Sequence, residues 1–260
     1  MALLAIPVTV AVALALVPLL VKLLGRNAGW PLAITFVALA GYVLANASEA
    51  FGGGNIRWSA TWIPGALPAT PAHPNGGDIT FGLSLDALSL FFTLLALLIG
   101  AIVFIYSTRY LHTGERILSF YVLMTAFMLA VLLLVLADDV ALLFVGWELV
   151  SLASFFLIAR SGSSGEAGST RTLILTFVGG LFLIAALSIM VGVTGTTQLP
   201  EIIADPRWAE NTVLTSVVAV LIALAGFSKA AQIPFHFWLP EAMAADTPVS
   251  AFLHAAAVVK

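Results

Sequence analysis

Long runs of apolar residues, separated by short polar or Gly/Pro-rich stretches, dominate the pattern of the chain. Several runs hold about 18 residues or more without a charge, which as helix crosses a hydrocarbon layer of roughly 30 Å. They predict transmembrane helices near residues 2–21, 31–48, 83–106, 117–137, 140–159, 172–194 and 211–230, and an eighth beginning near Thr247. Because backbone groups in lipid must be paired within the chain, the predicted fold class is an all-α polytopic transmembrane helix bundle. We expect residues 1–260 to form a single membrane domain.

Composition supports a membrane-embedded chain and narrows its possible ligands. Hydrophobic residues make up 61% of the sequence and charged residues 9%, against roughly a quarter charged in soluble domains. The net charge of −3 is small and spread over loops, so neither nucleic acid nor a polybasic lipid anchor is expected. The absence of cysteine excludes disulfides, iron–sulfur clusters and thiolate metal sites, and the four histidines lie in separate segments, a poor pattern for haem. We therefore expect no cofactor.

The two ends of the sequence raise two questions, whether the first apolar run is a signal peptide and whether the last predicted helix is complete. Residues 2–21 contain AVALA, which has the pattern of a signal-peptide cleavage site. No basic region precedes this apolar run, and Lys22 and Arg26 follow it, so we interpret it as the first spanning helix. The sequence stops at Lys260, about four turns into the eighth predicted helix. We therefore expect the chain to be the N-terminal part of a longer protein.

The distribution of basic residues predicts the orientation of the bundle. The connections between spans one and two, three and four, and five and six hold Lys22, Arg26, Arg109, Arg116, Arg160 and Arg171. The opposite side carries only Arg57 and Arg207. The N-terminus is therefore expected outside a plasma (inner) membrane. Residues 51–80, rich in Gly and Pro, are expected to form an external loop with a short hairpin at the membrane surface.

Glu148 is an ionisable residue within the fifth predicted span. It follows Asp139 by about nine positions, which places its carboxylate roughly 13 Å deep, near the centre of the bilayer. A structural ion pair that locks two helices is the alternative explanation, but ionisable groups inside membranes usually mark an ion path. We therefore interpret Glu148 as a residue that carries protons or cations.

Lys229 lies about eighteen residues into the seventh predicted span, just before an expected break in the helix. Pro234 cannot donate a hydrogen bond to the carbonyl of Ala230, and Pro240 repeats the interruption. The seventh helix should therefore be discontinuous and leave carbonyls free to meet water or ions, as in many transporters. In the alternative interpretation, Lys229 extends to the membrane surface from the end of a short span.

A pair between Glu148 and Lys229 would form a movable proton carrier. Burial disfavours the charged form of a lysine, whereas an adjacent carboxylate favours it. Separating the two residues would release the proton of the lysine, and renewed pairing would reload it. Contact between the two spans cannot be read from the sequence, so this mechanism is a hypothesis.

Three residues of the eighth predicted helix are further candidates for the path. Ser250 and His254 are four positions apart and share a helix face, whereas Lys260 lies about 240° around the helix from His254 and would need a bridging water. A hydrogen-bonded structural histidine is the alternative interpretation of His254. His236, within the expected break, is a weaker candidate, because a position at the membrane interface explains it equally well.

Three aspartates are expected to have structural roles. Asp138 and Asp139 lie between the fourth and fifth spans, where they predict a solvated turn. Asp86 lies near the start of the third span, where it is expected to cap the helix.

A resemblance to a known family rests on three motifs, LSLDALSLFF, GWELVSLASFFLI and GFSKAAQIPFHFWLPEAMAADTPVSAFLHAAAVVK. The chain resembles the antiporter-like subunits shared by Mrp-type Na+/H+ antiporters and the membrane arm of respiratory complex I. The resemblance implies a fold of roughly fourteen helices, of which about the first half is present. It also implies that Glu148 and Lys229 are paired proton carriers and that His254 and Lys260 continue the path. The HAAAVVK ending favours the Mrp branch of the family, since it resembles the A-type member of the Mrp antiporters.

The resemblance leaves two functions open. The first is a proton- and cation-translocating subunit of a multisubunit Na+/H+ antiporter, which is not an enzyme and assembles with small hydrophobic subunits in the bilayer. The second is a proton-pumping subunit of an NADH:quinone oxidoreductase, which would co-purify with flavin and iron–sulfur partners. A membrane scaffold without transport is a third interpretation, but it does not explain Glu148 and Lys229 at mid-membrane.

Single cysteines placed in the 109–116 and 160–171 loops are expected to resist an impermeant maleimide in intact cells, because both loops are predicted to be cytoplasmic. The natural chain has no cysteine, so labelling reports the introduced site alone. Labelling after permeabilisation is the control for reactivity. Ready labelling of both loops in intact cells would reverse the predicted orientation.

Overall fold

The computed structural model describes residues 3–67, 69, 76–111, 116–160, 163–243 and 245–254, without the side chains of residues 163–167 and 241. Helices dominate, and one antiparallel pair of strands lies between the third and fourth helices. The elements are α1 (Ala5–Leu24), α2 (Gly29–Asn46), α3 (Ser48–Phe51), β1 (Ile56–Leu67), β2 (Gly77–Leu85), α4 (Ala87–Tyr110), α5 (Ile117–Val135), α6 (Val140–Ala159), α7 (Ser163–Thr194), α8 (Leu199–Ile203), α9 (Arg207–Glu210), α10 (Thr212–Lys229), α11 (Trp238–Ala242) and α12 (Thr247–Leu253).

Six segments of the described chain are long and apolar enough to cross a membrane. The first, Ala5–Asn46, contains both α1 and α2, which are separated by a 3-10 turn at Gly25–Ala28. Gly25 ends α1 with a φ of 56°, a left-handed conformation that favours glycine. The other five segments are α4, α5, α6, most of α7, and α10. The predicted membrane helix bundle is therefore confirmed.

The helices pack as neighbours around a largely apolar core. Helix α1 packs on α5, α2 on α4, α5 on α6, α6 on α7, and α7 on α10. In this core the rings of Phe36 and Phe104 meet edge to face at 5.0 Å, and the Tyr121 hydroxyl donates to the Arg26 carbonyl at 2.7 Å. Helix α7 thus contacts both α6 and α10.

The strands form a hairpin that closes one side of the bundle. The free edge of β2 pairs with the α5–α6 turn, since Ser84 N–H donates to the Leu136 carbonyl at 2.8 Å and Asp138 N–H donates to the Gly82 carbonyl at 3.0 Å. We call this the hairpin side, where α4 and α6 begin and α5 and α7 end. The hairpin predicted within residues 51–80 is confirmed, but it continues to Leu85.

The predicted third span therefore began too early, at residue 83 instead of Ala87. Residues 82–85 alternate between small or polar and apolar side chains, which is the pattern of a strand. Asp86 then starts α4 with a capping box, in which its Oδ1 accepts from Ser89 N–H at 2.7 Å and Ser89 Oγ accepts from Asp86 N–H at 2.8 Å. The predicted cap is confirmed.

The prediction that Asp138 and Asp139 form a solvated turn is wrong. They are 8% and 0% exposed because the hairpin covers the turn. Asp139 caps α6 by accepting from Leu142 N–H at 2.8 Å, and it also accepts from Gly82 N–H. Asp138 lies 3.7 Å from Arg57. Burial raises the pKa of each carboxyl above its ordinary value. Arg57 opposes the shift at Asp138, and the backbone N–H donors oppose it at Asp139.

The predicted break of the seventh span is confirmed. Helix α10 ends at Lys229, and the backbone turns at Ala231 with a φ of 51° before α11 begins. The carbonyls near the break were expected to be free, but two of them are satisfied by protein. The Phe227 carbonyl accepts from Gln232 N–H at 2.8 Å, and the Ser228 carbonyl accepts from Trp238 Nε1–H at 3.0 Å.

An ion pair joins two elements on the side opposite the hairpin. Arg160, at the end of α6, lies 3.7 Å from Asp246, which directly precedes α12. The guanidinium also lies 5.3 Å from the centre of the Phe120 ring. The end of α6 is thereby tied to the start of α12.

Asp139→Ala is expected to lower the free energy of unfolding by about 2 kcal/mol, because α6 loses its cap and Gly82 N–H loses its acceptor. Asp139→Asn keeps an accepting oxygen and should lose less. Thermal unfolding of the purified full-length protein, followed by circular dichroism, measures the difference.

Asp138→Ala is the matched control for that experiment. It removes a long ion pair with a half-exposed arginine and an interaction with Ser84 but leaves the cap of α6 intact, so it should cost about 1 kcal/mol. Equal losses for Asp138→Ala and Asp139→Ala would contradict the capping role of Asp139.

Candidate functional site

Lys229, the last residue of α10, turns its ammonium toward α6 inside the bundle. Its Nζ donates to Ser151 Oγ at 2.6 Å and to the Trp147 carbonyl at 3.1 Å. It also lies 5.2 Å from the centre of the Trp147 ring, within the range of a cation–π interaction. The charged end of Lys229 is therefore bound by protein groups near the middle of α6, and the alternative of extension to the membrane surface does not hold here.

Glu148 lies half-buried on α6 with its carboxylate against Gly180 of α7. A Cβ atom at Gly180 would lie 2.1 Å from Glu148 Oε1, so this position of the acid requires glycine. Oε1 is buried and has no hydrogen-bond partner among the residues that the structure describes. An unpartnered carboxylate oxygen is costly to bury, so this oxygen is ready to accept a proton or a hydrogen bond.

Glu148 and Lys229 are neighbours but do not form an ion pair in this conformation. Within the described ranges, no carboxylate oxygen lies within 4.0 Å of Lys229 Nζ. The two residues that hold the ammonium, Trp147 and Ser151, are one position before and three positions after Glu148 on α6. The structure thus brings the candidates together to within about one helical turn. Their direct pairing stays a prediction.

Two adjacent glycines of α7 make this geometry possible. Gly180 leaves room for Glu148, and Gly179 lets α10 approach, since a Cβ atom there would lie 2.7 Å from Ser228 Cβ. Ser228 Oγ donates to the Leu175 carbonyl of α7 at 2.5 Å. The end of α10 is therefore fixed against α7, directly before Lys229.

A cavity of about 780 Å³ extends from Lys229 to the hairpin side. Lys229 and Trp147 line one part of it, and Ser84, Asp86 and Ser89 line the other. Burial raises the pKa of Asp86, but hydrogen bonds from Ser89 outweigh it and place the pKa below its ordinary value. An ammonium and an ionised carboxylate thus line one space that is large enough to hold water.

His254 and Ser250 both face the segment that precedes α12. His254 Nε2 lies 2.9 Å from Met243 Sδ, and Ser250 Oγ donates to the Ala245 carbonyl at 3.2 Å. Their common orientation agrees with the predicted shared face. Within the described chain, no hydrogen bond joins His254 to the residues around the ammonium. Lys260 lies outside the described residues.

His236 lies in the break between α10 and α11, as predicted. Its ring centre is 4.2 Å from that of Phe237, and its Nδ1 is buried without a hydrogen-bond partner in the described part of the chain. The same part of the chain holds no group of three or more His, Cys, Asp or Glu side chains that could bind a metal ion.

Sequence reasoning missed Ser151, the Trp147 carbonyl and the two glycines. A signal for Ser151 exists, since it is three positions from Glu148 and so lies on the same face of a helix. The glycine pair within an apolar span also indicates close approach of another element. Which element approaches depends on the packing of α6, α7 and α10, which the sequence does not show.

Two family models match the chain. The model described as "NADH:quinone oxidoreductase/Mrp antiporter, TM" matches residues 137–260. The model described as "NADH-Ubiquinone oxidoreductase (complex I), chain 5 N-terminus" matches residues 73–121. The matched ranges include Asp86, Glu148, Lys229, His254 and Lys260.

Similar sequences carry the name "Putative antiporter subunit mnhA2". The protein from Staphylococcus aureus is 42% identical over 186 residues, which cover 70% of this chain and 23% of that protein. The protein from Staphylococcus haemolyticus is 33% identical over 248 residues, covering 94% of this chain and 30% of that protein. The chain thus spans less than a third of the length of these relatives.

Two solved structures share the fold. A chain of the Mrp complex from Dietzia sp. DQ12-45-1b is 45% identical with a TM-score of 0.90, and the match covers 100% of this chain and 27% of that one. A chain of the membrane-bound sulfane sulfur reductase, an archaeal respiratory membrane complex, is 19% identical with a TM-score of 0.78, and the match covers 99% of this chain and 50% of that one. The second likeness concerns the fold alone.

Proposed function

Since the chain belongs to the family of antiporter-like membrane subunits that NADH:quinone oxidoreductases and Mrp antiporters share, we propose that it translocates protons and cations in a multisubunit Na+/H+ antiporter. The observation that carries the proposal is the Lys229 ammonium, bound inside the bundle at a helix break within about one turn of Glu148. Relatives that are named antiporter subunits support a transporter instead of an enzyme.

In the proposed path, Lys229 carries the proton and Glu148 is its movable counter-charge. A carboxylate beside the ammonium stabilises the charged lysine, and separation of the two favours release of the proton. The buried Glu148 Oε1, which has no hydrogen-bond partner among the described residues, supports this role because it can accept a proton or an ammonium hydrogen bond. His254 and Lys260 continue the path along α12 and beyond it.

The proposed surroundings are a plasma membrane and small hydrophobic partner subunits, with the N-terminus outside. The distribution of basic residues supports this orientation. Exposed apolar side chains on α10, such as Val213, Val220 and Phe227, support contact of this helix with lipid or with a partner. The ions exchanged are Na+ and H+.

The alternative is a proton-pumping subunit of an NADH:quinone oxidoreductase, which the name of the first family model also includes. Purification of the native complex distinguishes the two. Flavin absorbance and iron–sulfur signals in the purified complex would favour the oxidoreductase. Only hydrophobic partners without either centre would favour the antiporter.

Glu148→Gln and Lys229→Ala are expected to abolish gradient-driven Na+/H+ exchange in membrane vesicles, because each removes one member of the proton carrier. Glu148→Asp keeps the charge with a shorter reach and should retain partial activity. Assembly of the complex must be measured alongside, since an unpaired buried charge costs roughly 3–5 kcal/mol and can prevent folding.

The double variant Glu148→Gln/Lys229→Ala separates the carrier from a purely structural pair. A structural pair predicts recovery of both assembly and exchange, because no uncompensated charge remains. The proposed function predicts an assembled complex without exchange. Exchange at the parental rate in the double variant would refute the proton-carrier role.

Gly180→Ala is expected to slow exchange several-fold while the complex still assembles. The added Cβ atom displaces the Glu148 carboxylate from its position against α7, at a cost of about 1 kcal/mol for a strained rotamer. Gly192→Ala is the matched control on the same helix, since a Cβ atom there meets nothing within 4 Å. Equal exchange rates for the two variants would show that the position of the acid is unimportant.

A further inference from the structure

Helix α6 carries two buried serines with the same local bonding but different neighbours. Ser151 Oγ donates to the Trp147 carbonyl at 3.1 Å, and Ser154 Oγ donates to the Val150 carbonyl at 2.7 Å. Ser151 alone of the two accepts a hydrogen bond from Lys229. The two serines therefore differ in that Ser151 contacts the Lys229 ammonium and Ser154 does not.

The groups around the Lys229 ammonium form a neutral binding position. They comprise the Ser151 hydroxyl, the Trp147 carbonyl and the face of the Trp147 ring. None of these groups carries a charge, yet each stabilises a cation in an apolar bundle through a hydrogen bond or a cation–π contact. These groups therefore offer the ammonium acceptors other than a carboxylate.

The carboxylate of Glu148 lies outside ion-pair distance of Lys229 in the same conformation, within the described ranges. It lies against Gly180, and its Oε1 has no hydrogen-bond partner among the described residues. The backbone around Lys229 is meanwhile fixed, because the neighbouring Ser228 bonds to α7 through its hydroxyl and to Trp238 through its carbonyl. The end of α10 is therefore anchored directly before the lysine, whose long side chain is the more mobile part.

We propose that Ser151, together with the Trp147 carbonyl, is a second holding position for the Lys229 ammonium, so that the lysine alternates between Ser151 and Glu148 during transport. This inference rests on the proposed function and adds a positioning residue to it. With a neutral holding position, the lysine leaves the carboxylate while still protonated, and the proton is released onward instead of returning to Glu148.

The charged groups that face this position are few. Among the described side chains, Glu148 acts on Lys229 from α6, Asp86 lies across the shared cavity, and His236 lies in the break that follows α10. From α7, Gly179 and the Leu175 carbonyl contact Ser228 at the end of α10, and both are uncharged. Loss of the Ser151 hydroxyl should therefore act on Lys229 directly.

The experiment compares three variants of the full-length protein in its assembled complex. Ser151→Ala removes the hydroxyl, Ser151→Thr keeps it, and Ser154→Ala removes the matched hydroxyl that does not touch Lys229. Exchange is measured in vesicles as a function of pH, and assembly is measured for each variant.

Ser151→Ala is expected to move the high-pH limb of the exchange profile to lower pH by about one unit, roughly a tenfold change in proton binding. The direction follows because the hydroxyl accepts a hydrogen bond from the protonated lysine, and without it the proton is lost more readily. Ser151→Thr and Ser154→Ala should keep the parental profile. A purely structural serine would change the amount of assembled complex without moving this limb.

The inference is overturned if Ser151→Ala and Ser154→Ala give the same profile, or if Ser151→Thr shifts as far as Ser151→Ala. Lys229→Ala in the same vesicles keeps the two proposals apart. Exchange at the parental rate in Lys229→Ala would refute the proposed function itself. An inactive Lys229→Ala beside an unshifted Ser151→Ala would refute the second holding position alone.

Discussion

A charged ammonium inside an apolar helix bundle must find acceptors, and the central part of this structure is arranged around that constraint. Helix α10 ends at Lys229, so the side chain leaves the helix end and reaches α6. Helix α6 supplies a carbonyl and a hydroxyl, and α7 carries the paired glycines at the crossing. The break, the glycines and the buried serine are thus parts of one arrangement. Each of them contributes to where the charge lies.

Local signals predicted the fold well, and non-local contacts account for the errors. Charge-free runs located every span, and α6 was predicted with its observed limits because polar residues flank it directly. Pro234 predicted the break, and Asp86 predicted a cap. The burial of Asp138 and Asp139 was missed because it depends on β2, which lies some fifty residues earlier and folds back over the turn. The residues around Asp138 and Asp139 give no local sign that β2 covers this turn.

The candidate site was predictable where it involves charge and unpredictable where it involves neutral groups. A glutamate or a lysine in an apolar run is conspicuous, so Glu148 and Lys229 could be selected from the sequence. Ser151 resembles the other small residues of its helix until a lysine from α10 is placed beside it. Gly180 likewise becomes meaningful only when α6 is packed on α7. The charged groups of Glu148 and Lys229 can thus be recognised residue by residue, whereas their relative positions depend on how α6, α7 and α10 pack.

The hydrogen bond from Lys229 to the Trp147 carbonyl of α6 joins residues that are 82 positions apart in the sequence. A ribosome adds about 5–20 residues each second, so α6, which ends at Ala159, is complete roughly 3.5 to 14 s before Lys229 is made. During that interval Lys229 is not yet present near Glu148, and insertion of a charged residue at the centre of a helix costs about 3 kcal/mol. The many leucines and phenylalanines of α6 offset that cost, and the acid can enter the bilayer in its neutral form. Biogenesis of the membrane segment thus requires α6 to be apolar enough to insert alone, whereas the proposed transport requires the same helix to hold a charge later.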